Sequence, residues 1–413
     1  MTIFVLLSVL VSLAALFSFV SYRLLKLPTT VGVMLLSLGC SIALILLGRF
    51  APGVHHAAEA VVARIDFPAV LLHGMLGLLL FAGALHLDLA QLIKDKLPIL
   101  SLSIFSTLLS TGIVAALLKL ILGFANLPVS FTACLLFGAL ISPTDPIAVL
   151  EMLRRVGAPR SLETQLAGES LLNDGVGAVL FLSLLDASGH STLPQFDALF
   201  VFFIIKAGGG LLLGFLLGYF VARLLFVVDG YRVEVLLTLG LAMGGYALAD
   251  VLHISAPLEA VAAGLMISSS GRLRMSVHTR EHVDTFWELM DDILNVLLFL
   301  LVGLQLLVMP WDRHYLYVGL LAIPAVLFAR WFSVSAVVVA LRVVHRPVPG
   351  TILVLTWGGL RGALAIALAL SLSPGTTRNE LLAITYVVVI FSIVAQGLTV
   401  GPLLSRLGLA SQS

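Results

Sequence analysis

Four polar side chains crowd into one short run of an otherwise apolar stretch: Glu169, Ser170, Asn173 and Asp174. At 3.6 residues per turn Glu169 stacks on Asn173 and Ser170 on Asp174, so all four share a helical stripe about 140° wide. A third acid, Asp145, lies between two prolines in Ser142-Pro143-Thr144-Asp145-Pro146, and a lone arginine sits among glycines in Gly358-Gly359-Leu360-Arg361-Gly362. Carboxylate, hydroxyl and backbone carbonyl oxygens suit small hard cations. One Glu–Arg pair would neutralise one acid and leave Asp145 and Asp174 without a fixed counter-ion. Two neighbouring aspartates in a low-dielectric site cannot both stay ionised unaided. Such a site holds either a proton or a hard cation, but not both at once. Asp174, Asp145, Ser170 and the freed carbonyl at Thr144 are the candidate ligands.

The elements that must position these groups are membrane helices. Of 413 residues, 60% are apolar and only 11% charged, against about 25% charged in soluble domains. Thirteen apolar blocks, from 3–22 to 380–404, have the length of helices that cross a bilayer. The least distinct boundary is the polar notch at Asp250 and His253 between blocks 233–252 and 254–269. The first block lacks the basic flank and cleavage site of a signal peptide, and no segment of this sequence reads as a soluble domain. Fifteen of the 23 lysines and arginines fall in odd-numbered connections and the C-terminal tail, against five in even-numbered ones. Because cytoplasmic loops are enriched in Lys and Arg, this predicts an external N-terminus and a cytoplasmic C-terminus. The net charge of +1 offers no basic stripe for nucleic acid. Two isolated cysteines, Cys40 and Cys134, give no disulfide framework or thiolate metal site.

Charges within a span face a bundle interior or a cavity, so the polar stripe of the sixth block (162–185) must point away from lipid. In the fifth block (130–153), Pro143 and Pro146 each remove a backbone donor and push the preceding residue out of helical geometry. In the twelfth (350–372), glycines weaken the helix around Arg361. These two blocks cross the membrane in opposite senses. Interrupted helices at corresponding positions of two inverted halves point to a transport site.

With these residues in view, the chain resembles the NhaP-type sodium/proton antiporters of the cation:proton antiporter superfamily, related to the animal sodium/proton exchangers. The resemblance rests on Thr144-Asp145-Pro146, on Gly168-Glu169-Ser170 followed by Asn173-Asp174, and on Gly359-Leu360-Arg361-Gly362. It implies an all-α polytopic fold of about 13 spans with inverted repeats and two discontinuous crossing helices. An ion-translocating domain would comprise approximately 98–185 and 315–404, moving against a dimerisation domain of approximately 1–86 and 198–308 in a homodimer. By the same resemblance, Asp174 alternately binds Na+ (or Li+) and H+. Asp145, Ser170 and the Thr144 main chain help to coordinate the ion, and Glu169 pairs with Arg361. Asn173 stands where electrogenic relatives place a second aspartate, which implies electroneutral one-for-one exchange. No cofactor is implied beyond the transported ions, the location is a cell (inner) membrane, and no long regulatory tail is expected.

Other polar residues have blander readings. Lys206 and Arg330 are expected to meet an acid such as Asp291 or Asp292, or to snorkel. Glu259 lines a vestibule or ends a loop, and Asn295 packs polar-to-polar. His73 and His253 are candidate pH sensors. Gly208-Gly209-Gly210 lacks the context of a phosphate loop and instead permits close helix approach. Three rival functions remain at this stage. An intramembrane aspartyl protease would use Asp145 and Asp174 as a dyad, although no Gly-x-Gly-Asp segment is present. A cation channel needs no proton gradient, and a potassium/proton antiporter differs only in its ion.

Overall fold

A backbone crossing lipid must satisfy its own hydrogen bonds, which the apolar blocks do by coiling into helices. The computed structural model describes residues 3–87, 89–125, 127–188, 196–228, 230–271, 277–309, 312–344 and 347–407. Arg272, Arg274 and Arg346, which contribute to the charge asymmetry, lie outside the described residues. The chain begins with α1 (Ile3–Val20), α2 (Thr29–Leu47), a short α3 (Pro52–Val62) and α4 (Leu76–His86). Next come α5 (Leu89–Lys94), α6 (Lys96–Ser101), α7 (Thr107–Phe124), α8 (Phe131–Ile141), α9 (Ile147–Val156) and α10 (Arg160–Ser188). Then follow α11 (Phe196–Leu225), α12 (Tyr231–Val251), α13 (Ala256–Met266) and α14 (Val277–Leu304). The last are α15 (Arg313–Leu341), α16 (Thr351–Trp357), α17 (Ala363–Leu370), α18 (Thr376–Phe391) and α19 (Gly397–Arg406).

Among the described residues, 10 helices are long and apolar enough to span a bilayer. Together with α13 and the interrupted pairs α8/α9 and α16/α17, they account for all thirteen blocks. The notch between the eighth and ninth blocks is a true boundary: α12 ends at Val251, and His253 adopts a left-handed backbone at φ 55°. Among the described residues, short π-helical stretches at Leu102–Ser106, between α6 and α7, and at Ser392–Gln396, between α18 and α19, keep spans continuous while shifting their register.

Packing sorts the helices. α11 lies along α13, α13 along α4, and α14 along α2, while α7, α15 and α18 pack in series and α10 lies on α8. The α11–α13 contact is backbone to backbone. A Cβ added at Gly210 would fall 2.3 Å from the Ser255 carbonyl oxygen, and one at Gly214 2.3 Å from that of Glu259. The seam therefore follows Gly210, Gly214 and Gly218 at intervals of four, and Gly208 from the original triplet faces open space. Trp287 of α14 joins three helices: its indole donates to Thr238 Oγ1 of α12 at 3.0 Å, and its ring lies 4.8 Å from that of Phe81 in α4.

Candidate functional site

α8 starts at Ser130, whose hydroxyl accepts from the Ala133 N–H at 3.1 Å, and stops where Pro143 follows. The chain then runs extended through Thr144 and Asp145 before α9 begins at Ile147. α16 ends at Trp357, and Gly358 to Gly362 bridge to α17. The two breaks cross in antiparallel sense, and the Asp145 N–H donates to the Leu360 carbonyl at 2.8 Å. Gly362 makes this crossing possible, because a Cβ there would sit 2.7 Å from Asp145 Oδ2.

Four helix ends meet at the crossing, and each charge matches the end it faces. Interrupted helices leave carbonyls unpaired at a C-terminus and N–H groups unpaired at an N-terminus, with partial charges to match. The buried Arg361 guanidinium lies at the end of α8 and donates to the Ser142 carbonyl and, at 3.1 Å, to that of Pro143. Asp145 lies at the start of α9, where its Oδ1 accepts from the Ile147 N–H at 3.1 Å. The Arg361 N–H is held in turn by Ser392 Oγ at 2.8 Å.

α10 supplies the facing wall, and its polar stripe lies inward: Glu169, Ser170 and Asn173 are buried. Asn173 clamps Thr144, accepting from its N–H at 3.2 Å and donating to its Oγ1 at 3.0 Å. The Ser170 hydroxyl donates to the Thr144 carbonyl. Asp145 and Asp174, by contrast, are only half-buried and close enough to repel each other. The Asp174 side chain makes no hydrogen bond or ion pair with any described residue. Thus Thr144, Asp145, Ser170, Asn173 and Asp174 converge at the crossing.

Glu169 does not pair with Arg361. Its partner is Arg330 of α15, with Nη1 2.5 Å from Glu169 Oε1. Arg330 also spans to α16, donating from Nε and Nη2 to the Leu355 carbonyl at 3.3 and 3.1 Å. Arg361 instead donates from Nη1 to the Ser142 and Pro143 carbonyls just past α8. The expectation that Arg330 or Lys206 meets Asp291 or Asp292 is likewise corrected: Lys206 lies 3.6 Å from Asp186 at the far end of α10. Glu259 lies just past the loop that ends at Ser255. It is fully buried in the first turn of α13, and Asn295 is buried in α14.

Asp291 has a different setting from the one expected. It is half-buried and within electrostatic reach of Asp145. The spacing of Glu281, Asp284, Glu288 and Asp291 by threes and fours places them on one stripe of α14, a signal available from the sequence. The His73 and Asp250 side chains are both exposed and lie 3.9 Å apart.

Comparison with known proteins places this architecture. Residues 9–406 match the family described as sodium/hydrogen exchanger, transmembrane. The chain is 44% identical over 403 residues to the Na(+)/H(+) antiporter NhaP of Pseudomonas aeruginosa, covering 96% of this chain and 95% of that one. It is 34% identical over 386 residues to the Na(+)/H(+) antiporter NhaH of Halobacillus dabanensis, covering 89% and 92%. In fold it matches the structure of the sodium proton antiporter MjNhaP1 from Methanocaldococcus jannaschii, with a TM-score of 0.74 over 97% of both chains at 19% identity. The chain therefore belongs to the transmembrane sodium/hydrogen exchanger family of membrane transporters.

Proposed function

We propose that this protein exchanges Na+ (or Li+) for H+ across a cell membrane, with Asp174 carrying the cation on one stroke and the proton on the other. The observation that carries this reading is the charge balance at the crossing. At the crossing itself Asp145, Glu169 and Asp174 face Arg330 and Arg361, which leaves one net negative charge; Asp291 of α14 lies outside this set, with Arg154 within its own electrostatic reach. One monovalent cation or one proton cancels it, and both together would leave an excess. A low-dielectric site does not tolerate uncompensated charge, so the two ligands exclude each other. This count supports one-for-one, electroneutral exchange.

Asp145 and Asp174 supply the carboxylate oxygens. The Thr144 carbonyl completes the shell when the Ser170 hydroxyl rotates from it toward the ion. Asn173 fixes the break, and Glu169 with Arg330 braces α10 against α15 and α16. Arg361 holds the end of α8. The half-buried state of Asp145 and Asp174 supports access from one face. Helices within 98–185 and 315–404 carry the ion, and those within 1–86 and 198–308 form the scaffold and homodimer contact. The distribution of Lys and Arg supports an external N-terminus and a cytoplasmic C-terminus in the inner membrane.

Reconstitution into liposomes holding a pH dye, with successive additions of Na+, Li+ and K+, tests the reading. Proton movement driven by Na+ and Li+, and unchanged by a clamped membrane potential, is expected. A response to K+ alone would reassign the ion. Cation flux without proton movement would indicate a channel.

A further inference from the structure

Between α2 and α4 the chain forms α3, whose Pro52 occupies the first turn, where a missing N–H costs nothing. α3 rests on α2 and on the short turn Gln305–Val308 that follows α14, well away from α10. His55 is seated against the end of α2, since a Cβ added at Gly48 would lie 2.9 Å from His55 Cβ. His55, His56 and Glu59 stand at helical positions i, i+1 and i+4, so the carboxylate is reached from both histidines. Glu59 Oε2 lies 3.8 Å from His55 Nδ1 and 3.5 Å from His56 Nδ1. One donor atom from each residue lies within 4.8 Å of the others.

These separations are long for hydrogen bonds. They are close to the spacing of ligands around one ion: donors about 2.0–2.1 Å from a tetrahedral zinc ion stand about 3.3 Å apart. Rotation of the exposed His56 ring and of the Glu59 carboxylate is what closes the set around one ion. The His56 side chain is 74% exposed, which leaves a coordination position open to water.

We propose that His55, His56 and Glu59 form a binding site for a divalent transition-metal ion of the zinc class, on the membrane face where α2 ends. Two imidazoles and one carboxylate select Zn2+, Ni2+ or Cu2+ over Mg2+ and over the alkali cations carried at Asp174. A bound ion ties one turn of α3 together beside the ends of α2 and α14 and leaves the transported-ion site untouched.

The test is Zn2+ titration of untagged full-length protein in detergent against a chromogenic chelator, with Mg2+ as control. One saturable Zn2+ per chain is expected. H56A, at an exposed position, and E59Q should each weaken it at least about tenfold, no less than the loss of an outer-shell partner costs. Both variants should keep the wild-type size-exclusion profile and Na+-driven exchange. Absence of saturable Zn2+ binding, equal competition by Mg2+, or unchanged affinity in both H56A and E59Q would overturn the proposal.

Discussion

Glu169 and Asp174 lie on the same helix, less than two turns apart, and face opposite fates. Glu169 is fully buried and bound to Arg330, whose remaining donors are fastened to α16. Asp174 is half-buried, has no cationic partner among the described residues and lies within electrostatic reach of a second acid, Asp145. A charge closed into a pair gives up its capacity to bind anything else. A charge left open keeps that capacity, and the bundle must be stable enough to hold it. The first carboxylate is thus suited to architecture and the second to cargo, although both are acids on one inward stripe.

The sharpest way to break this contrast is to neutralise Asp174. The D174N variant should lose exchange completely while remaining folded, as read by Na+-driven pH recovery in everted vesicles and by size exclusion. Retained recovery would remove Asp174 from the transport step. Neutralising Glu169 should do the reverse. E169Q strands the Arg330 guanidinium in the core and should cost about 3–5 kcal/mol of stability, visible as a lowered melting temperature and yield. A double variant that replaces both partners with apolar residues of similar volume should recover much of that loss.

The open site should also register protons directly. Where H+ and Na+ compete for one net negative charge, raising pH removes the competitor. The half-saturation for Na+ should then fall, by up to about tenfold per pH unit while the protonated form dominates, and level off above that range. A half-saturation independent of pH would separate the two sites. The smallest effect belongs to Asn173. N173A deletes two hydrogen bonds to Thr144, each worth about 1 kcal/mol, and should mildly reduce stability and raise the half-saturation for Na+. A shift to voltage-sensitive exchange would contradict the charge count.

The frame of the molecule was readable from the residues because its causes are local. Block length identifies a span, Pro143 and Pro146 interrupt one helix, and glycines beside Arg361 interrupt another. The inward stripe of α10 follows from helical periodicity alone. Partner choice is a different problem. Arg330 meets Glu169 across 161 positions of sequence, and periodicity gives the face of a helix without giving the neighbour that face will meet. Arg361 is the cation nearest the acids in sequence pattern, yet the break around it brings it to the Ser142 and Pro143 carbonyls instead. α3 escaped notice for another reason: eleven residues are too few to span a bilayer, and its mixed composition reads as a loop.

The backbone bond from Asp145 to Leu360 constrains how this protein can work. It knots two chain segments where the interrupted helices cross, and Arg361 doubles the fastening by gripping the opposite strand of the knot. A swing at either break would tear both links and expose their amides to an oily interior. The cheaper displacement carries the knot whole, like a shuttle in a loom; on the proposed reading, the ion then keeps the same oxygen neighbours at each bank and only its surroundings change.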